Sequence, residues 1–151
     1  MNQPFRPLKL AAQGNHSMSI KRIRGLYEGR LAGWAASRSI PVAWQNVDFT
    51  PPSTIYLRAF MIPAETSGLD IAGESRTYKG VFQISVVAPE GSGPGQAEQI
   101  ASDLDGLFPL ALLLDDEGFS VQITHPCSQA PSIHGGGRYT VPVSFRYRAD
   151  T

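Results

Sequence analysis

The sequence lacks the features that would place it in a membrane or close it with a disulfide. No apolar run approaches the roughly 20 residues that a membrane span needs. The single cysteine, Cys127, has no second cysteine to pair with, which is typical of synthesis in a reducing cytoplasm. The segment from Met1 to His16 has no apolar centre of the secretory kind. We predict that residues 1–18 are a flexible leader or an appended extension, with Met18 as a possible natural start, and that residues 19–151 form one domain.

An excess of either charge is also missing. The chain has 13 basic and 13 acidic residues and a formal net charge of +0. A general nucleic-acid binder shows a basic excess or a basic stripe instead. The length of 151 residues and the hydrophobic content of 42% fit one globular domain with a real core. We therefore predict a single folded domain without sequence-specific nucleic-acid binding.

Patterns that signal catalysis or a bound cofactor are absent too. The glycine-rich segment 90–95 lies between a predicted strand and a predicted helix, but Gln96 follows its last glycine where a phosphate-binding loop needs lysine. The chain has no GxSxG motif. The pair His125 and Cys127, with His134 as a third ligand, is a weak zinc pattern that fits a strand-end histidine and a small buried thiol better. We predict that the protein is not an enzyme and has no catalytic residue, metal or cofactor.

Two local patterns that suggest ligands have simpler structural interpretations. The acidic run from Asp115 to Glu117 precedes Gly118 and is typical of a solvated hairpin turn, with a divalent-cation contact as the alternative. Trp34 and Trp44 fit core or interface anchors better than a ligand cage. Neither pattern changes the prediction that the protein is not an enzyme.

Two stretches have the apolar period of an amphipathic helix. The first runs from Ser19 to Arg38 with Ser19 as its N-cap, and the second covers residues 95–108. Within the first, three glycines are spaced one turn apart, at a cost of about 1 kcal/mol each relative to alanine. Their spacing predicts that another backbone, either of the protein's own sheet or of another subunit, approaches the helix closely. The three glycines are Gly25, Gly29 and Gly33.

Five segments have the composition or alternation of strands. They are residues 42–47, 54–62, 76–88, 119–124 and 139–147. Their alternation predicts a sheet with one covered side. Pro142 lacks an amide hydrogen, which favours an edge strand or a bulge. The fold class predicted from this order is α+β, a mainly antiparallel sheet of about five strands with two helices packed on one face.

Several segments between Ser19 and Asp150 carry a resemblance to a known family. They are IPVAWQNVDFTPP (40–52), YLR (56–58), YKGVFQISV (78–86), PEGSGPG (89–95), LFP (107–109), GRYTVPV (137–143) and YRAD (147–150). On these segments the chain resembles phage tail-terminator-like proteins, a family similar to the lambda minor tail protein U. The resemblance implies a hexameric ring on the end of a finished tail tube that stops polymerisation and offers a surface for head joining.

The same resemblance implies the protein's partners and location. The partners would be other copies of the chain, the tail tube protein and a head-completion or connector protein, and no membrane. The location would be the virion tail, after assembly in the bacterial host cytoplasm. Two alternatives stay open: another tail-completion or neck connector protein of similar fold, and a small-molecule binding domain with a deep pocket.

Residues 63–75 break both periodicities and predict an extended hairpin arm or a mobile loop. Because a cyclic ring uses heterologous contacts, we expect this arm and the 90–95 loop to contribute to subunit or tube contacts. The residues expected there are Glu65, Thr66, Ser67, Leu69, Asp70, Ile71, Glu74, Glu90 and Ser92. DNA passes through a tail, so we expect some arginines to face the lumen of the ring, and a solvated surface is the alternative. These arginines are Arg22, Arg24, Arg30, Arg146 and Arg148.

Overall fold

The computed structural model describes the backbone of residues 5–68 and 71–151, and side chains from residue 19 onward in those ranges. Two helices are present there, α1 (Phe5–Ser37) and α2 (Gly95–Leu107). The strands are β1 (Val42–Trp44), β2 (Tyr56–Pro63), β3 (Ser67–Gly68), β4 (Arg76–Pro89), β5 (Leu113–Asp116), β6 (Phe119–Gln129), β7 (Ile133–Gly135) and β8 (Arg138–Asp150). Neither helix in this part of the chain has the length and hydropathy required to cross a membrane.

All these strands belong to one sheet with the order β1-β2-β4-β8-β6-β5. The short strand β3 pairs with β4 beyond the end of β2, and the short strand β7 pairs with β8 beyond the end of β6. The predicted α+β class is confirmed. The sheet has eight strands rather than about five, and it is mixed because β1 pairs parallel to β2. The extra strands β3, β5 and β7 have two to four residues each, which is too short for a period of two to show in the sequence.

The core lies between the sheet and the two helices, which cover the same face. Alternate residues of β4 and β8 point into it, and Tyr27 of α1 lies at its centre with its ring 5.0 Å from Phe145 and 5.6 Å from Phe82. Phe108, which follows α2, stacks on Phe145 at 4.9 Å. Burial, followed by the neighbouring Tyr147, raises the pKa of Tyr27 above its ordinary value. This aromatic cluster joins both helices to the two longest strands.

The first helix differs from the predicted one at its start and on its outer side. It begins at Phe5, so Ser19 lies inside it, fully buried, and the predicted N-cap is wrong. The prediction that the glycine row packs on the protein's own sheet is also wrong. A Cβ built on Gly25, Gly29 or Gly33 meets no atom within 4 Å, because these residues lie on the exposed side of α1. The buried side is formed by Ile23, Tyr27 and Leu31.

Pro142 lies in the interior of the sheet, so the edge position predicted for its strand is wrong. β8 has β4 on one side and β6 with β7 on the other. Pro142 is tolerated because it lies opposite the break between β6 and β7, where its carbonyl accepts a hydrogen bond from the Ala130 amide at 2.9 Å. The two register irregularities between Ile123 and Ser128 place the extra residues in β6, and β8 keeps a regular register with β4, so the bulge predicted for the strand of Pro142 lies in its neighbour instead.

Candidate assembly surfaces

The predicted arm is a hairpin extension at one end of the sheet. The Ala64 amide donates to the Lys79 carbonyl at 2.8 Å, and β3 then pairs with the first two residues of β4. The side chains of Glu65, Thr66, Ser67 and Glu74 are exposed. Ile71, near the tip, is fully exposed. Leu69 and Asp70 lie outside the described residues. The arm therefore offers side chains that the protein's own core leaves uncovered.

The 90–95 loop lies at the opposite end of β4. It is a structured turn: the Glu90 amide donates to the Gly137 carbonyl at 3.0 Å, and the Ser92 hydroxyl donates to the Pro89 carbonyl at 2.7 Å. Gly91 and Gly93 have φ values of 87° and 80°, which other residues adopt at a cost. Since β4 rises about 3.3 Å per residue, the loop and the arm are about 40 Å apart. The structure does not bring the two predicted contact segments onto one surface.

Two of the predicted lumen arginines, Arg22 and Arg30, bind residues of their own chain near the ends of β5 and α2. The guanidinium of Arg22 lies 3.2 Å from the Asp116 carboxylate, donates to the Asp116 carbonyl, and stacks 4.9 Å from the centroid of Phe119. Arg30 donates to the Leu107 carbonyl at 2.8 Å. Both therefore connect α1 to neighbouring elements on the helical side of the sheet.

Arg24 on the same helix connects α1 to the segment that follows β1. Its guanidinium donates to the side-chain oxygen of Gln45 at 2.7 Å and forms a 3.4 Å ion pair with Glu28. The same oxygen of Gln45 accepts a hydrogen bond from the Met61 amide at 3.0 Å, on the outer part of β2. This network fixes the β1 edge of the sheet to the helical layer.

Arg146 and Arg148 point to the other face of the sheet, which the helices leave open. Arg148 pairs with Asp150 at 3.1 Å, and Lys79 lies directly across from it on β4. Burial raises the pKa of Asp150, but hydrogen bonds from Thr77 and Arg148 and the charges of Arg148 and Lys79 together outweigh it and leave the pKa below its ordinary value. The five predicted arginines thus divide between opposite sides of the sheet and do not line one surface.

A groove beside β1 is a surface that sequence reasoning missed. It has a volume of about 750 Å³. It is lined by Ala43, Trp44, Gln45, Asn46, Val47, Asp48, Phe49, Pro51, Tyr56, Arg58, Ala59 and Phe60. We call it the β1–β2 groove. The available signal was the apolar pair Val47 and Phe49 within a turn-rich connection, since Val47 keeps 59% of its surface exposed.

The remaining candidate ligands serve structural contacts in the described part of the chain. The thiol of Cys127 faces the carbonyls of Leu104 and Phe108 at 3.9 and 3.7 Å, and burial, with the nearby Asp105, raises its pKa to about 12. His134 packs against Tyr139 at 4.9 Å. Within the described residues, no group of three or more histidine, cysteine, aspartate or glutamate side chains is placed to hold a metal ion.

The acidic run forms the predicted hairpin turn. Glu117 and Gly118 have φ values of 50° and 86° and connect β5 to β6, as in a two-residue hairpin with positive φ at both central positions. Asp115 accepts a hydrogen bond from the Ser120 hydroxyl at 2.9 Å. Asp116 is not merely solvated, because it binds Arg22. The turn is therefore part of the contact between the sheet and α1.

Comparison with known proteins identifies the family. The sequence profile of a family described as "Phage tail terminator protein" matches residues 22–147. The chain belongs to the phage tail terminator family. A solved structure is similar to the chain with a TM-score of 0.76 and 45% sequence identity, over 87% of this chain and 96% of that chain. A search of curated proteins finds no match.

Membership in the terminator family establishes the coarse role of the protein. It is a structural protein of the phage tail and contacts other tail components there. The match includes both helices' packing residues and all the long strands, so the family resemblance extends to the core and not only to turns. The surfaces described above are therefore candidates for contacts in tail assembly.

Proposed function

We propose that the protein forms a ring, of six copies, that caps the tail tube, stops its polymerisation and presents a surface to a head-completion or connector protein. Assembly takes place in the bacterial host cytoplasm. The observation that supports this proposal is the separation of two exposed segments, the arm and the 90–95 loop, at opposite ends of β4. A ring cap needs different surfaces for its neighbours and for its axial partners, and this shape supplies them.

The arm is proposed to make the contact between copies. It carries exposed side chains at an end of the sheet where β4 extends beyond β2, and strand β3 supports it with only two residue pairs. The core residues of the domain lie elsewhere, in the helices and the long strands. The arm therefore contributes little to the stability of the single chain, and its exposed residues Glu65, Thr66 and Ser67 are accessible to a neighbouring copy.

Deleting residues 66–73 tests this role. The deletion should abolish ring formation and leave a cooperative unfolding transition, because its described residues, 66–68 and 71–73, are all exposed. Light scattering behind size exclusion over a wide concentration range, with electron microscopy of the largest species, measures the assembly. Gln99→Ala serves as a control that removes one exposed hydrogen bond, to Asp103 on α2, outside both contact segments, and it should leave the ring intact.

The outcomes separate the parts of the proposal. An intact ring from the deleted protein would contradict the role of the arm. A ring with a number of copies other than six would contradict the hexamer. If the wild-type protein forms no ring alone, it is incubated with unfinished tail tubes, and failure to bind their open ends would contradict the capping function.

Among the predicted lumen residues, we propose that Arg146 faces the channel rather than the arginines of α1. It is exposed on the open face of the sheet, whereas Arg22 and Arg30 bind atoms of their own chain. Arg146→Ser should weaken binding of duplex DNA by the assembled ring and lower the salt slope by about one. Lys21→Ser, which removes an exposed charge from α1, should leave that slope unchanged. Equal slopes for Arg146→Ser and wild type would contradict the assignment.

A further inference from the structure

The β1–β2 groove is a preformed surface with a mixed apolar and polar lining, and the described residues leave it open. Phe49 packs on Tyr56 with ring centroids 5.2 Å apart. Arg138 of β8 contacts the segment that connects β1 to β2. Its guanidinium donates to the Pro52 carbonyl at 2.7 Å and lies 5.5 Å from the Tyr56 ring. Val47 at the rim is 59% exposed. These contacts fix the shape of the groove before any partner binds, which lowers the entropic cost of binding.

The arm carries the complementary chemistry. Its tip presents Ile71, whose side chain is fully exposed. Between Ala64 and Ser75 the sequence contains three acidic residues and no basic one. The charged residues that line the groove are Arg58 and Asp48, and Arg24 and Arg138 contact its lining residues from outside. Within the described residues Arg58 forms no ion pair, so its charge is available to an acidic partner.

The arm cannot reach the groove of its own chain. Arg58 in the groove is level with Ser85 on β4, whereas the arm is paired with Arg76 and Thr77 at the start of that strand. At about 3.3 Å per residue, the two sites are about 30 Å apart along β4. Any contact between them must therefore join two copies of the chain.

We propose that the arm of one copy docks in the β1–β2 groove of the next copy, with Ile71 as the apolar anchor and Glu65 beside Arg58. Because the two surfaces differ, each copy can both give an arm and receive one, and the contact repeats in one direction. Such a repeat closes into a ring when the rotation per copy is an integral fraction of a turn. The inference rests on the proposed ring and names the surface that receives the arm.

Pairwise cross-linking tests the contact without requiring a closed ring. One protein carries Ile71→Cys and another, with an affinity tag that changes its mass, carries Val47→Cys, both in a Cys127→Ser background. Both sites are exposed, so the substitutions leave the fold unaffected. On mixing and mild oxidation, the mixed dimer should form in clear excess over either homodimer. Homodimers at equal or higher yield than the mixed dimer would overturn the proposal.

A second measurement tests the energetic role of the anchor. Ile71→Ser should weaken self-association by about tenfold or more, since full burial of one isoleucine side chain contributes at least that much. Ala72→Ser, an exposed neighbour, should change association little. Association of Ile71→Ser at wild-type strength would also overturn the proposal. Wild-type rings without the mixed cross-link would refute this contact and leave the capping function standing, whereas no rings and no binding to tail tubes would refute the function itself.

Discussion

The helix-covered face of the sheet and the arm both adjoin the long strand β4, but their side chains meet different surroundings. Phe82 and Ile84 in the middle of β4 are buried under α1 and α2, whereas Arg76 at its start is exposed beside the arm. The covered face fixes the fold of one chain. In the arm, the exposed side chains of Glu65, Thr66 and Ile71 have no comparable packing within the described residues. If the arm makes the proposed contact between copies, stability and assembly depend on separate segments, so mutations should separate them.

The largest effect is expected in the aromatic cluster. Phe145→Ala removes a fully packed ring that contacts Tyr27, Phe82 and Phe108, and it should lower the free energy of unfolding by about 3–5 kcal/mol. Urea denaturation followed by circular dichroism measures the loss. Ile71→Ala in the arm is the matched control and should change the free energy by less than about 0.5 kcal/mol. Equal losses for the two variants would remove the distinction between the covered face and the arm.

A smaller loss is expected at the one glycine where the sheet is tightly packed. A Cβ on Gly80 would lie 2.3 Å from the Tyr147 hydroxyl oxygen and 2.7 Å from the Ile62 carbonyl oxygen. Gly80→Ala should therefore destabilise the fold by about 1–3 kcal/mol. Adding Tyr147→Phe should recover only part of the loss, because the Ile62 carbonyl stays in place. A fully stable Gly80→Ala protein would contradict this packing. The control is Gly29→Ala on the open side of α1, which should stabilise the helix slightly.

The buried hydroxyl of Tyr27 is expected to matter little or to be unfavourable. It has no hydrogen-bond partner in the described structure, and burial raises its pKa. Tyr27→Phe keeps the ring and removes the unpaired group, so the free energy of unfolding should stay the same or rise by up to about 1 kcal/mol. Thermal unfolding at neutral pH measures the change. A loss of more than 1 kcal/mol would show that the hydroxyl has a partner.

The smallest effect is expected from Asp150 on the open face. Its folded-state pKa lies below the ordinary value, so the ionised carboxylate contributes stability at neutral pH. That contribution is fully present above the unfolded pKa of about 4 and is lost as pH falls through the folded pKa. The fall in stability between pH 5 and pH 2 should be smaller for Asp150→Asn than for wild type. Identical pH profiles would show that the hydrogen bonds of Asp150 do not affect folding.

The sequence predicted the fold class because the long elements have clear periods. Tyr139 to Tyr147 alternate cleanly, and the helical spacing of Ile23, Tyr27 and Leu31 marks the buried side of α1. The short strands β3, β5 and β7 were missed because two to four residues carry no measurable period. The packing of the three glycines of α1 was predicted wrongly, because the spacing of glycines does not itself show whether another element covers them.

The assembly surfaces could be predicted only in part. The break in periodicity at 63–75 located the arm, since a segment with neither period lies outside the packed elements. The β1–β2 groove was missed because it combines residues from two strands and a long connection, held by Arg138 of β8, which is distant in the sequence. The five arginines were grouped by charge, although their separation into α1 and β8 depends on tertiary structure. Contacts across the fold, not local patterns, decide these positions.

Tail length in lysates from the host that encodes the chain tests the central claim most directly. With the gene disrupted, electron microscopy should show tubes of uncontrolled length without attached heads, and the wild-type gene should restore tails of uniform length. The deletion of residues 66–73 should fail to restore them. Uniform tails joined to heads in the absence of the gene would contradict the capping function.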